Sequence, residues 1–147
     1  MDMTLRSILE GKHGEIVAVG PNASVREAVR AMVSHDVGCV LVMDEGGVRG
    51  LFTERDLMRR VVARGQNELQ TLVSEVMTDE VVTVGPDVTV SEAMSLCTER
   101  RIRHLPVYAN NELIGIVSAG DLTKAAVRDK QHTIDDLISY IYGTETL

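Results

Sequence analysis

The sequence predicts a mixed α+β fold made of two β-α-β-β-α repeats, with a short helix before the pair and another after it. Two observations carry this prediction. Gly50-Leu51-Phe52-Thr53-Glu54-Arg55-Asp56 recurs as Gly115-Ile116-Val117-Ser118-Ala119-Gly120-Asp121, so Asp121 lies 65 residues beyond Asp56. The same offset carries Glu15-to-Pro21 onto Glu80-to-Pro86 and Ser24-to-Ala28 onto Thr89-to-Ala93, with no insertion or deletion between Glu15 and Leu57. A register kept over that length is the mark of an internal repeat.

Taken in order, Leu5, Ile8 and Leu9 give a short helical pattern that ends at Gly11. Glu15-Ile16-Val17-Ala18-Val19 reads as a strand stopped by Gly20-Pro21. Ser24 and Glu27 have the spacing of a capping box, and Val25, Ala28, Val29, Met32 and Val33 hold helical spacing behind it. Cys39 to Met43 is a continuous apolar strand, Glu45-Gly46-Gly47 a hairpin turn, and Val48 to Phe52 the returning strand. A helix is expected from about Glu54 to Ala63. Leu69, Leu72, Val73, Val76 and Met77 predict a short connecting helix. The second copy then repeats the order: strand Glu80 to Val84, a helix opened by Thr89 and Glu92, strand His104 to Tyr108, turn Asn110-Asn111, strand Leu113 to Val117, and a helix carrying Leu122, Ala125 and Ala126. Lys130-Gln131-His132 is read as a separator. Thr133 is read as the cap of a terminal helix striped by Ile134, Leu137, Ile138 and Ile141, with Tyr140 and Tyr142 beside it. The expected division is residues 1–68, 69–130 and 131–147.

Composition bounds the function. Of 147 residues, one Phe, three Tyr and no Trp leave an aliphatic core to be built from Val, Leu, Ile, Met and Ala. A unit of about 60 residues buries too little surface to be comfortable alone, so the two copies are expected to share a core. The net charge of −7 argues against nucleic acid or an anionic membrane surface as partner. No apolar run approaches the roughly 18 residues of a membrane span, and no secretory leader is present, so a cytoplasmic protein is expected. Cys39 and Cys97 lie far apart without CxxC spacing, which fits two buried thiols rather than a disulfide or a metal site. The histidines, His13, His35, His104 and His132, are scattered. Without a P-loop, GxGxxG, HExxH or nucleophile–base pattern, neither catalytic residues nor an enzyme activity are expected.

The chemistry concentrates at the repeated strand-to-helix junction. Helix N-termini present unpaired N–H groups and partial positive charge, which favour anions such as phosphate. A carboxylate is an acceptor only and suits vicinal hydroxyls such as those of a ribose. The plainer alternative is that Thr53 and Ser118 cap helices and that Asp56 and Asp121 complement the first turn. The two roles are compatible.

Gly-x-x-Thr/Ser-x-x-Asp in both copies, with Ile102-Arg103-His104-Leu105-Pro106-Val107, resembles the CBS domain pair, named after the regulatory region of cystathionine β-synthase. The resemblance runs from about Ile16 to Val127 and is similar to small free-standing bacterial members. It implies two repeats related by a pseudo-two-fold axis, with composite clefts for adenosine-containing ligands. The first cleft would combine Leu51, Thr53, Arg55 and Asp56 with Val81, Val82, Arg103, His104 and Pro106. The second would combine Ile116, Ser118 and Asp121 with Ile16, Val17, Gly38 and Cys39. On that assignment the first cleft gains an arginine and a histidine, and charge-assisted bonds to phosphate are about twice as strong as neutral ones. It is therefore expected to hold AMP, ADP or ATP more tightly.

The resemblance implies a regulatory sensor that signals to a partner protein; no cofactor or metal is expected, and the C-terminal stripe is read as packing either on the chain itself or against a second copy in a homodimer. NAD(H) or S-adenosylmethionine as ligand, and a dimerisation or interaction scaffold with vestigial clefts, are the alternatives.

Overall fold

In the computed structural model, which describes residues 3–11 and 16–142, helices and two short sheets are mixed as expected, in two units. Glu15, at the start of the first expected strand, His13, and the side chains of His132, Asp136, Tyr140 and Tyr142 lie outside the described residues.

One unit is Gly14–Val82. Its strand β1 (Ala18–Val19) runs parallel to β2 (Cys39–Asp44), which pairs antiparallel with β3 (Gly47–Thr53). The five-residue first strand expected from Glu15 narrows to two, although Val17 still accepts the Leu41 N–H at 2.9 Å. Between the sheet strands, α2 (Val25–His35) begins where the Ser24 hydroxyl accepts the Glu27 N–H at 3.1 Å. Helical spacing buries Val25, Ala28 and Met32 against Val40, Val42 and Phe52, which alternate onto one face of the hairpin. Asp36 ends α2 in the left-handed region, φ 52°. Beyond β3, α3 (Glu54–Asp56) makes one α-helical turn, and Leu57–Val62 widens into a π-helix in place of the expected continuous α-helix. The connecting helix is short, α4 (Val73–Val76), with Val73 and Val76 buried and Leu69 exposed.

The other unit joins Met1–His13 to Thr83–Leu147. Helix α1 (Leu5–Gly11) buries Leu5, and α5 (Val90–Arg100) is capped by Thr89, which accepts the Glu92 N–H at 3.1 Å. Strands β4 (His104–Ala109) and β5 (Glu112–Ser118) form a hairpin turned at Asn110 and Asn111, both left-handed at φ 52° and 64°. Asparagine tolerates that region because its short polar side chain bonds locally. The strand expected over Glu80 to Val84 is reduced to a single bridge, Val84 to Val107. Val84 bonds to its neighbour β4 on both sides, donating to the Pro106 carbonyl at 3.1 Å and accepting the Tyr108 N–H at 2.9 Å, while the β4–β5 ladder carries a bulge at Ile114 of β5. The break expected at Lys130-Gln131-His132 is absent, and α6 (Ala119–Tyr142) runs through it. None of those residues is a helix breaker, and the Thr133 hydroxyl donates back to the Asp129 carbonyl at 3.1 Å instead of capping a new helix.

The repeat extends to features that the periodicity left out. Val25 N–H donates to Thr71 O and Val90 N–H donates to Met3 O, at 3.0 and 2.8 Å, so α4 packs on the first copy while α1 plays the same part for the second. The expected division at residues 68 and 69 follows chain order and sets α1 with the first copy and α4 with the second. Gly50 and Gly115 mark the same spot in each copy. A Cβ on Gly50 would stand 2.6 Å from the Thr78 carbonyl oxygen, and one on Gly115 would stand 2.6 Å from Leu9 Cδ2.

Candidate functional site

In the Gly14–Val82 unit, the chain leaves β3 at Thr53 in an extended conformation and turns at once into α3. The Thr53 hydroxyl accepts the Asp56 N–H, and Asp56 Oδ2 accepts the Thr53 N–H, both at 3.1 Å. This two-way box satisfies donors that a helix start leaves unpaired. Asp56 is only 5% exposed, and its carboxylate has two further partners. Thr78 Oγ1 donates toward both oxygens, at 3.0 and 3.1 Å, and Arg60 Nε stands 3.6 Å from Oδ1. Arg60 also donates to the Met77 carbonyl at 2.6 Å. A buried carboxylate is tolerated when it is paired and hydrogen-bonded, as this one is.

In the other unit, the Ser118 hydroxyl accepts the Asp121 N–H at 3.1 Å and Asp121 Oδ2 accepts the Ser118 N–H at 2.9 Å. The geometry is that of the first junction, but Asp121 is half-buried, and Ala125 stands where the first copy has Arg60.

Strand register decides which other expected residues lie beside each junction. Cys39 pairs with Thr53, and the Gly38 carbonyl accepts the Glu54 N–H at 3.1 Å. His104 pairs with Ser118 and Pro106 with Ile116, while the Arg103 carbonyl accepts the Ala119 N–H at 2.7 Å. Within one unit, then, Arg103, His104 and Pro106 adjoin Ser118 and Asp121, and Gly38 and Cys39 adjoin Thr53 and Asp56. Arg103 and Arg55 are exposed, Pro106 and Leu51 buried. Val17, Val81 and Val82 are half-buried and Ile16 is exposed.

Sequence reasoning missed Arg60 and Thr78. Arg60 lay within reach of it, because residues four apart share a helix face. Thr78 is 22 residues from Asp56 and carries no local signal. Among the described residues no cluster of His, Cys, Asp and Glu has the makings of a metal site, and no helix is long and apolar enough to cross a membrane.

Comparison with known proteins bears on both junctions. The CBS domain pattern matches twice, at residues 12–63 and 73–128. A mitochondrial CBS domain-containing protein of Arabidopsis thaliana, CBSX3, is 38% identical over 125 residues, covering 82% of this chain and 61% of its own length. CBS domain-containing protein YhcV of Bacillus subtilis is 36% identical over 118 residues, covering 80% of this chain and 84% of its own length. The structure of a putative signal-transduction protein with CBS domains from Burkholderia ambifaria superposes with a TM-score of 0.83 at 38% identity, over 86% of this chain and 96% of that one. Each pattern match includes one hydroxyl–carboxylate junction, and the chain belongs to the CBS domain family, with two copies of the domain.

Proposed function

We propose that the chain is a regulatory CBS pair that binds an adenosine nucleotide, AMP, ADP or ATP, and passes the event to a partner protein. The observation that carries this reading is the recurrence of one junction geometry in both units, with a hydroxyl and a carboxylate held at the start of a helix. Such a start offers N–H groups and positive dipole to phosphate, and the carboxylate accepts from ribose hydroxyls. The likeness to a putative signal-transduction protein supports the regulatory half of the reading. A nucleotide acts on a partner only through its differential affinity for two arrangements of the chain, with coupling of about 1–3 kcal/mol in the usual case. No catalytic step enters this reading.

Thermal unfolding with millimolar AMP, ATP, NAD or S-adenosylmethionine tests it. A ligand at 100 times its Kd adds about 2.7 kcal/mol of stability when it binds only the native state. The compound with the largest shift names the ligand class; no shift with any of them removes nucleotide binding.

One observation favours a second reading, an interaction scaffold. Ile134, Leu137, Ile138 and Ile141 on α6 are 48%, 55%, 45% and 70% exposed. An apolar stripe of that extent fits a contact with a second copy of the chain. Sizing over a range of concentrations, with and without residues from Thr133 onward, tests it.

A further inference from the structure

We propose that a ribose accepted at Asp56 unlocks the segment Met77–Thr78, so that the first junction signals its occupancy through the chain that leaves its own unit. This deepens the nucleotide-binding reading above and rests on it.

Asp56 is the centre of a small lock within the Gly14–Val82 unit. It is only 5% exposed, and both carboxylate oxygens are engaged. Oδ2 accepts the Thr53 N–H at 3.1 Å, Thr78 Oγ1 stands 3.0 Å from Oδ1 and 3.1 Å from Oδ2, and Arg60 Nε lies 3.6 Å from Oδ1. The Thr53 bond is half of the box that starts α3 and persists as long as the helix does. A ribose hydroxyl that reaches this carboxylate therefore displaces the two side-chain partners, Thr78 Oγ1 and Arg60.

Both displaced groups converge on one short segment. Arg60 donates to the Met77 carbonyl at 2.6 Å, and Thr78 exchanges two backbone bonds of 2.8 Å with Leu51. Moving Arg60 takes that donor from Met77, and a threonine, branched at Cβ, has few χ1 settings into which to turn its hydroxyl. The segment also lies flush on β3: the Thr78 carbonyl oxygen and Met77 Sδ stand 2.6 and 2.7 Å from where a Cβ on Gly50 would be. Contacts packed this closely switch between discrete arrangements rather than yield by degrees. Arg60 itself belongs to the π-helical turns Leu57–Val62, closed by the Ala63 N–H on the Met58 carbonyl at 2.9 Å, and such turns are frequent at functional sites. Met77 and Thr78 lie within five residues of Val82, where this unit ends and the chain passes into the other. Loosening them alters the tether between the units.

Coupling of this kind is reciprocal, so a mutation that opens the lock should favour the ligand that opens it. Amide exchange of the full chain with and without AMP, and titration calorimetry of the variants with AMP, test the proposal; circular dichroism establishes that each variant is folded. In the unaltered chain AMP is expected to quicken exchange at the Leu51 and Thr78 amides, with no quickening at Val40 and Val42 in the core. Arg60→Met and Thr78→Val are each expected to bind AMP about fivefold more tightly or better, the lower end of ordinary coupling. A network that served stability alone would leave AMP affinity unchanged or weaken it. If AMP binds, yet exchange at Leu51 and Thr78 slows or stays the same, or neither variant binds AMP more tightly than the parent, the lock is not coupled to the ligand and nucleotide binding stands. If the unaltered chain shows neither binding heat nor a shifted melting temperature with AMP, nucleotide binding fails and the proposal fails with it.

Discussion

The Thr78 hydroxyl caps the buried Asp56 carboxylate, lying 3.0 Å from Oδ1 and 3.1 Å from Oδ2, and so ties the segment after α4 to the start of α3. Thr78 also exchanges two backbone bonds with Leu51, each 2.8 Å. Thr78→Val keeps the shape and backbone bonds but removes the donor. It is expected to destabilise the Gly14–Val82 unit by about 1–3 kcal/mol, because a buried acceptor loses its partner. Thr78→Ser should recover most of the loss. Urea unfolding of the three proteins measures it, and a Thr78→Val chain as stable as the parent would remove this bond from the account.

Arg60 supports the same carboxylate less strongly. Its side chain is 41% exposed, so solvent screens the 3.6 Å contact with Asp56. Most of its worth lies in the 2.6 Å bond to the Met77 carbonyl. Arg60→Met is expected to lower stability by only about 1 kcal/mol. Amide exchange at Leu51 and Thr78 should quicken, since each donates to the other's carbonyl. Exchange unchanged at both amides would mean that Arg60 does not hold this segment.

Gly50 and Gly115 occupy matching positions, yet their neighbours differ in how far they can yield. An alanine Cβ at Gly50 meets a backbone oxygen of Thr78 at 2.6 Å and Met77 Sδ at 2.7 Å. At Gly115 it meets the tip of the Leu9 side chain, which can rotate. Gly50→Ala is expected to cost about 3 kcal/mol and Gly115→Ala about 1 kcal/mol, the two ends of the overpacking range. Leu9→Ala should relieve Gly115→Ala in a double-mutant cycle and leave Gly50→Ala unrelieved. Equal costs at the two glycines would contradict this assignment of their neighbours.

Cys97 lies buried on α5, and burial pushes its thiol above the ordinary range because the thiolate would lose water. The unfolded chain ionises first as pH rises past about 8.5, so the folded state loses stability through the interval up to its own raised value. Below that interval the full contribution remains. Between pH 8 and 10 the fall in stability should be shallower for Cys97→Ala than for the parent, and native Cys97 should alkylate more slowly than the unfolded thiol. Identical slopes would show that burial does not reach the sulfur.

Periodicity made the junctions legible, because Thr53 and Asp56 recur as Ser118 and Asp121 with only local chain between them. The caps at Ser24 and Thr89 were legible for the same reason. What it left out depends on contacts distant in sequence. Val81 and Val82 have strand-forming side chains, but a strand exists only where a neighbouring strand pairs with it, and within the expected span the described bridge is the one at Val84, to Val107. The placing of α1 and α4 could not be read either, since each is chosen by the glycine that admits it, Gly115 or Gly50. At the junction itself, the side chain opposite in register proved as informative as the motif. His104 stands across from Ser118, and Cys39 across from Thr53.

The last turns of α6 follow from the missing breaker at residue 130. Leu122 and Ala125 near its start are buried, whereas Ile134, Leu137, Ile138 and Ile141 further along are 45–70% exposed. The outer turns therefore contribute little burial to the unit that carries them, and ending the chain after His132 should change its unfolding free energy by about 0.5 kcal/mol or less, the range for changes away from buried contacts. Burying that stripe in a dimer would add stability that rises with protein concentration. The truncated chain should then lose any concentration dependence that the full chain shows in its melting temperature and elution volume. A large drop in stability at every concentration would instead mean that the stripe packs on its own unit, and a truncated chain that still associates would place the contact elsewhere.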